Sequence, residues 1–291
     1  MIEQAIYEHL TSQRCLARTL ATYNRTPAVF NQTAPSDADE GWGCGRQYGR
    51  IVFAVDLQGD PARGIGATMA VDIMCKSDEQ QPEEIEPIIR TLIHGHFFSN
   101  GTFTVAAQWK NSAYFTQPTD QVSGCTVTFD LLGFPVQTTT NPDVIYRTNE
   151  WTSAMFEGLH VINYDELPAR AWKPCGDDSA VYWRLVTEKP SSFIRDTYQT
   201  VWRMATLRCH IFSKDNATAA TVARKLTTAL TASKRILKAG ESPIMTNMPP
   251  ASVDYSADPL RTGQVTLEAT YGIIVHFKPD NVLETINYKD K

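Results

Sequence analysis

Between Ala67 and Cys75, apolar and polar residues alternate, with Met69, Val71 and Ile73 set against Thr68 and Asp72. That period of two predicts a strand. The period changes after Gln81. Ile85, Ile88, Ile89, Leu92 and Ile93 fall at i, i+3, i+4, i+7 and i+8, one apolar stripe on a helix running from Pro82 to Gly95. Pro82 suits its first turn, Glu83 and Glu84 suit the positive end of the helix dipole, and Gly95 suits the exit. Pro87 comes early enough to be tolerated with a kink.

The same order returns later in the chain. Thr200–Phe212 reads as a strand, and Ser213-Lys214-Asp215 stands where Lys76-Ser77-Asp78 stood. A long helix follows from Asn216 to Gly240, with Val222, Leu226, Ala229 and Leu230 on one face. A strong strand comes after each unit, Gly124–Gly133 and Gly263–Gly272, and another precedes each, Arg50–Leu57 and Ala180–Glu188. Four consecutive elements in one order imply a tandem duplication, although few residues are shared.

The remaining signals fit around these units. Met1–Ala21 predicts a helix with Ile2, Ala5, Ile6, Leu10, Leu16 and Leu20 on one side, and Val29–Gln32 a short extended piece. Thr102–Gln108 predicts a strand, and Asn149–His160 a short helix in the second half. Gln137–Pro142, with three threonines and an Asn-Pro, is the natural linker. The expected fold class is α+β: two similar domains, 1–136 and 143–277, each a small, mostly antiparallel sheet packed with helices, then a C-terminal extension, 278–291.

Composition narrows the classes of function. The 291 residues suffice for two ordinary cores, and 42% hydrophobic with 20% charged residues is a globular balance. A net charge of −5 gives no electrostatic basis for wrapping nucleic acid, so sequence-specific nucleic-acid binding is not expected. No apolar run is long enough to span a bilayer, and Glu3 and Glu8 stand where a secretory signal would carry basic and apolar residues, which predicts a cytoplasmic product with no membrane partner. The six cysteines include no C-x-x-C pair, and Cys75, Cys125 and Cys209 sit in strand patterns as small buried residues.

The helix opening with Ala5-Ile-Tyr-Glu-His-Leu10, the extended Pro27-Ala-Val-Phe30 and the Ala34-Pro-Ser-Asp37 loop precede the Arg50–Val55 strand. Together with the Ala67–Met74 strand feeding the Pro82–His94 helix, this order resembles the tail-terminator (tail-completion, or neck) proteins of long-tailed bacteriophages. The resemblance covers roughly residues 1–135 and, more faintly, 160–277; the chain departs from the family in size, since its members are single-domain and about half as long. It implies a non-enzymatic structural protein of the virion, assembled in the host cytoplasm. Its subunits would form a ring at the head-proximal end of the tail tube, capping tube polymerisation and joining the tail to the connector. The implied partners are further copies of the chain (three or six), the tail tube protein and the head–tail connector protein, with DNA passing through the lumen. A baseplate or tail-hub adaptor with a doubled domain is the alternative, and a small metal-dependent hydrolase or nuclease the lesser one.

Candidate chemistry is sparse. His94 and His96 flank Gly95 at a helix exit, where capping of the last carbonyls competes with metal ligation and is favoured. Gly41-Trp-Gly-Cys-Gly45 lacks the Lys-Ser/Thr finish of a phosphate loop, and Cys44 has no histidine placed beside it by sequence. Asp37, Asp39 and Glu40, and in the second half Asp177 and Asp178, sit in corresponding loops, where solvated turn carboxylates are commoner than an acid–base pair. Glu83, Glu84 and Glu86 read as a solvated helix face, and Tyr182, Trp183 and Trp202 as core or subunit contacts. No catalytic, cofactor or metal residue is expected. Trp42, Arg46, Asp60 and Arg63 are the candidate intersubunit or tube contacts, because they lie in loops rather than cores.

Overall fold

The structure is a computed structural model, and it describes residues 1–43, 46–60, 64–117, 121–164, 167, 178–197, 199–233, 235–236 and 244–275. It is a mixed α+β fold built on two six-stranded sheets and a two-stranded ribbon, β1 (Thr22–Tyr23) with β2 (Thr26–Pro27). The first large sheet contains β3 (Val29–Asn31), β4 (Arg50–Asp60), β5 (Gly64–Lys76), β6 (Phe97–Ser99), β7 (Thr104–Gln117) and β8 (Val122–Gly133), in the order β3-β4-β5-β8-β7-β6. The second contains β9 (Leu159–Val161), β10 (Ser179–Pro190), β11 (Thr200–Phe212), β12 (Arg235–Ile236), β13 (Ile244–Val253) and β14 (Val265–Ile274), in the order β9-β10-β11-β14-β13-β12. Read from these ends, the two orders are the same. Their registers differ in detail: the first sheet has a shift between Trp109 and Asn111, and the second has shifts between Leu185 and Thr187 and between Thr246 and Ala251.

Helices cover one face of each sheet. On the first lie α1 (Ile2–Thr11), α2 (Arg14–Thr19) and α3 (Pro82–Ile93), whose Ile2, Ile6, Leu10, Leu16, Ile85, Ile89 and Ile93 meet the inward residues of β4, β5, β7 and β8. On the second lie α4 (Val144–Met155) and α5 (Asn216–Ser233), with Val144, Ile145, Trp151, Ala223, Leu226 and Leu230 buried against Trp183, Leu207, Leu267 and Tyr271. Strand alternation supplies the matching faces, since successive side chains point to opposite sides of the sheet.

Several expectations need correction. The single N-terminal helix is two, because Thr11, Ser12 and Gln13 turn their side chains back onto the carbonyls of Tyr7 and His9 and interrupt the helical ladder. The second-half helix begins five residues earlier than expected, at Val144, where the Asp143 carboxylate accepts from the Ile145 and Tyr146 N–H groups. The long helix ends at Ser233, and Gly240 lies outside the described residues, as does the extension 278–291. The expected, mostly antiparallel pairing holds, with parallel pairs at β3–β4 and β9–β10. Strand β13 had no signal in the sequence because Pro249 and Pro250 read as breakers; they fall where its register with β14 breaks, a place that tolerates proline.

Candidate interaction surfaces

The loop that contributes Trp42 and Arg46 is anchored by its own small core. Asp39 starts the 3-10 turn Glu40–Trp42, its carboxylate accepting from the Gly41 N–H at 2.8 Å. The Trp42 ring is only 4% exposed, packed among Ala21, Ala28, Tyr23 and Phe30, and its indole N–H donates to the Ser36 carbonyl at 2.9 Å. Trp42 is therefore a core residue of this loop, against the expectation of a loop side chain outside any core: a ring that size, with its one donor satisfied, is stabler buried. A side chain at Gly41 would overlap the Tyr23 ring, so the glycine permits this packing. Arg46 is exposed and reaches Glu79 at 3.5 Å. Asp60 closes β4 opposite Gly64, and Arg63 lies outside the described residues. Arg50, which the sequence did not single out, fastens the loop to the sheet. Its guanidinium lies over the Tyr48 ring, 4.6 Å from the centroid, and donates to Asp37 at 2.5 Å.

The loop carboxylates and histidines have structural work. Asp37 also accepts from the Tyr48 hydroxyl, and Asp39 from the Tyr23 hydroxyl, a bond that raises the Tyr23 pKa. Asp177 lies outside the described residues. The His94 Nδ1 accepts from the Trp109 N–H at 3.1 Å, tying the helix exit to β7. His96 is buried and stacks on His9 with centroids 4.1 Å apart, while His9 contacts the Leu92 carbonyl. Among the described residues no three His, Cys, Asp or Glu side chains form a metal-holding group.

Glu86 departs from the solvated-face expectation. It is 5% exposed, accepts from the Ser112 hydroxyl at 2.7 Å and lies 3.5 Å from Arg90, which in turn lies over the Trp109 ring. The reason is register: position 86 sits one turn from Arg90 on the flank of α3 that meets β7. Burial also governs the thiols, pushing Cys75 up to about 12 and Cys125 up to about 11, and raising Cys209 well above its ordinary value. Such thiols stay protonated and inert at neutral pH. Cys44 and Cys175 lie outside the described residues.

Two surfaces that sequence periodicity did not reveal emerge from the sheets. The first is a joint between the halves: Phe97, Ala106 and Phe134 pack against Ala180, Tyr182 and Phe212, with Leu260 closing over them. The Tyr182 hydroxyl donates to the Pro135 carbonyl, Gln137 donates to the Trp183 carbonyl at 2.6 Å, Arg261 reaches Asp130 at 2.8 Å and Gln108 donates to Asp258 at 2.9 Å. The second, among the described residues, is a set of bare strand edges. β3 pairs only with residues 51–53 of β4, β6 only with 104–106 of β7, and β9 only with 179–181 of β10. The longer outer parts of β4, β7 and β10 thus reach past their edge partners. They carry exposed Leu57 (48%), Tyr114 (52%) and Val186 (42%).

No protein-family model matches this chain, and no characterised protein matches it in sequence.

Proposed function

We propose that the protein is a structural, ring-forming subunit of a bacteriophage tail, of the terminator or tail-completion class, and that its halves arose by tandem duplication. The observation that carries this reading is the strand order that the two six-stranded sheets share. A chain with two like modules presents two like sets of edges, so three chains supply six modules and six chains supply an inner and an outer ring. Closure requires a heterologous contact that returns on itself. The bare outer parts of β4, β7 and β10 supply main-chain donors and acceptors for it, and their exposed apolar side chains supply area. Assembly at the head-proximal tip, in the virion, follows from the resemblance of the first 135 residues.

Light scattering and negative-stain images of the purified chain, alone and with preformed tail tubes, test this. Rings of three or six copies, or a cap at one tube end, are expected. Leu57→Arg, an exposed position whose change leaves the fold intact, should abolish them. A chain that stays monomeric at high concentration and also ignores the tube ends sinks the reading.

A further inference from the structure

The bare edges of β4 and β10 carry charge of opposite sign on corresponding faces. Phe53 and Val55 of β4 turn to the helices, so Ala54, Asp56 and Gln58 turn away from them. On β10, Trp183 and Leu185 turn to the helices. Glu188 does so too, accepting from the Tyr271 hydroxyl beyond the shift in register at Leu185–Thr187. Arg184, Thr187 and Lys189 therefore share the helix-free face. Asp56 and Lys189 are exposed, and Arg184 is half-buried.

Among the described residues, none of Asp56, Arg184 and Lys189 has an opposite charge within 4.0 Å. The third bare strand differs, since Lys110 of β7 lies 3.4 Å from Asp130 on the strand beside it. On β10 positive charge is in surplus. Arg208 stands directly opposite Arg184, and burial together with that like charge lowers the Arg184 pKa. These charges restrict the partner. Two β4 edges brought together gather both copies of Asp56, and two β10 edges gather four cations; like charges across a strand pair are destabilising. An edge of β4 against an edge of β10 is complementary.

We propose that β4 of one copy of this chain pairs edge to edge with β10 of the next, so that two sheets run on as one. The two strands hold the same place in the order of their sheets. Antiparallel pairing between them keeps the helices on one side and sets Asp56 on the same face as Arg184 and Lys189. It also brings exposed Leu57 and Val186 to the seam. Each copy offers one edge of each kind, so the contact is heterologous and repeats until it closes. This inference rests on the ring-forming reading and names its interface.

Light scattering over a concentration series, with negative-stain images of rings and tube caps, tests the pairing. Asp56→Lys turns attraction into repulsion and should raise the concentration for half-assembly about tenfold. Lys189→Asp should raise it severalfold, Arg184 still being present. The double variant Asp56→Lys/Lys189→Asp should assemble at a lower concentration than Asp56→Lys alone. Both positions are exposed, so thermal unfolding of the variants should match the wild type. Assembly that Asp56→Lys leaves unchanged overturns the pairing and leaves the ring reading standing, as does a loss that the double variant does not relieve. A wild-type chain that forms neither rings nor tube caps overturns both.

Discussion

The two sheets share a strand order but fill their cores in different ways. Over the first, the helices bring a dense set of aliphatics, Ile2, Ile6, Leu10, Leu16, Ile85, Ile89 and Ile93, and the sheet answers with Phe53, Met69, Phe98 and Phe129 among smaller residues. Over the second, α5 is thin on its inner side, with Ala219, Val222, Ala223 and Ala229 beside Leu226 and Leu230. Several of its threonines fold back onto its own backbone carbonyls. There the sheet supplies the volume, through Trp183 and Tyr271. The Trp183 indole N–H is satisfied by the Thr152 hydroxyl on α4 at 3.1 Å, which lets an amphipathic ring serve as a core residue. One architecture thus tolerates both packings provided the total volume between sheet and helix is kept.

That contrast breaks most visibly at Trp183. Trp183→Ala empties the largest fully buried side chain of the second core and removes the bond that the Thr152 hydroxyl accepts, so it should cost about 3–5 kcal/mol in urea unfolding. Ile89→Ala in the first core removes one of many aliphatic side chains that share the load, and should fall at about 2–3 kcal/mol, the low end of its class. Equal costs, or a larger cost for Ile89, would show that volume is not concentrated in the second sheet as described.

The sequence made part of this legible. The isoleucine stripe of α3 and the alternation of β5 were plain because a single face of each is buried. The boundaries of β11 were readable for the same reason, down to Thr200 and Phe212. Strand β13 was not, since its prolines are tolerated only by a register break that no local pattern announces. Trp42 and Glu86 were misjudged because burial there depends on partners distant in the chain: Ala21 and Tyr23 for the ring, Ser112 for the carboxylate.

The joint sharpens the comparison at an intermediate scale. Tyr182→Phe leaves the ring in place among Phe134 and His210 but removes the donor to Pro135 O, and should cost about 1–2 kcal/mol. If the joint couples the halves, a single urea transition persists and moves as one; two separate transitions would show that each sheet unfolds by itself. Arg261→Ala, which removes an exposed partner of Asp130, should cost about 1 kcal/mol or less and should vanish in high salt.

Smallest of all is the effect at the start of α5, where Asp215 accepts from the Thr218 N–H at 2.7 Å. Hydrogen bonds from Thr218 hold the Asp215 carboxyl below its ordinary range, with a contribution from the neighbouring Lys214 charge. A group whose folded pKa is depressed adds stability above its unfolded pKa and loses it as pH falls through the folded value. Asp215→Asn should therefore lower the melting temperature slightly at pH 7. The gap from the wild type should close progressively below about pH 4, the ordinary aspartate range, until the two curves meet at the acid end. A gap independent of pH would mean that Asp215 holds α5 through shape alone. In that event the thin helix of the second sheet would depend on its packing against Trp183 and Tyr271 for its start as well as for its seat.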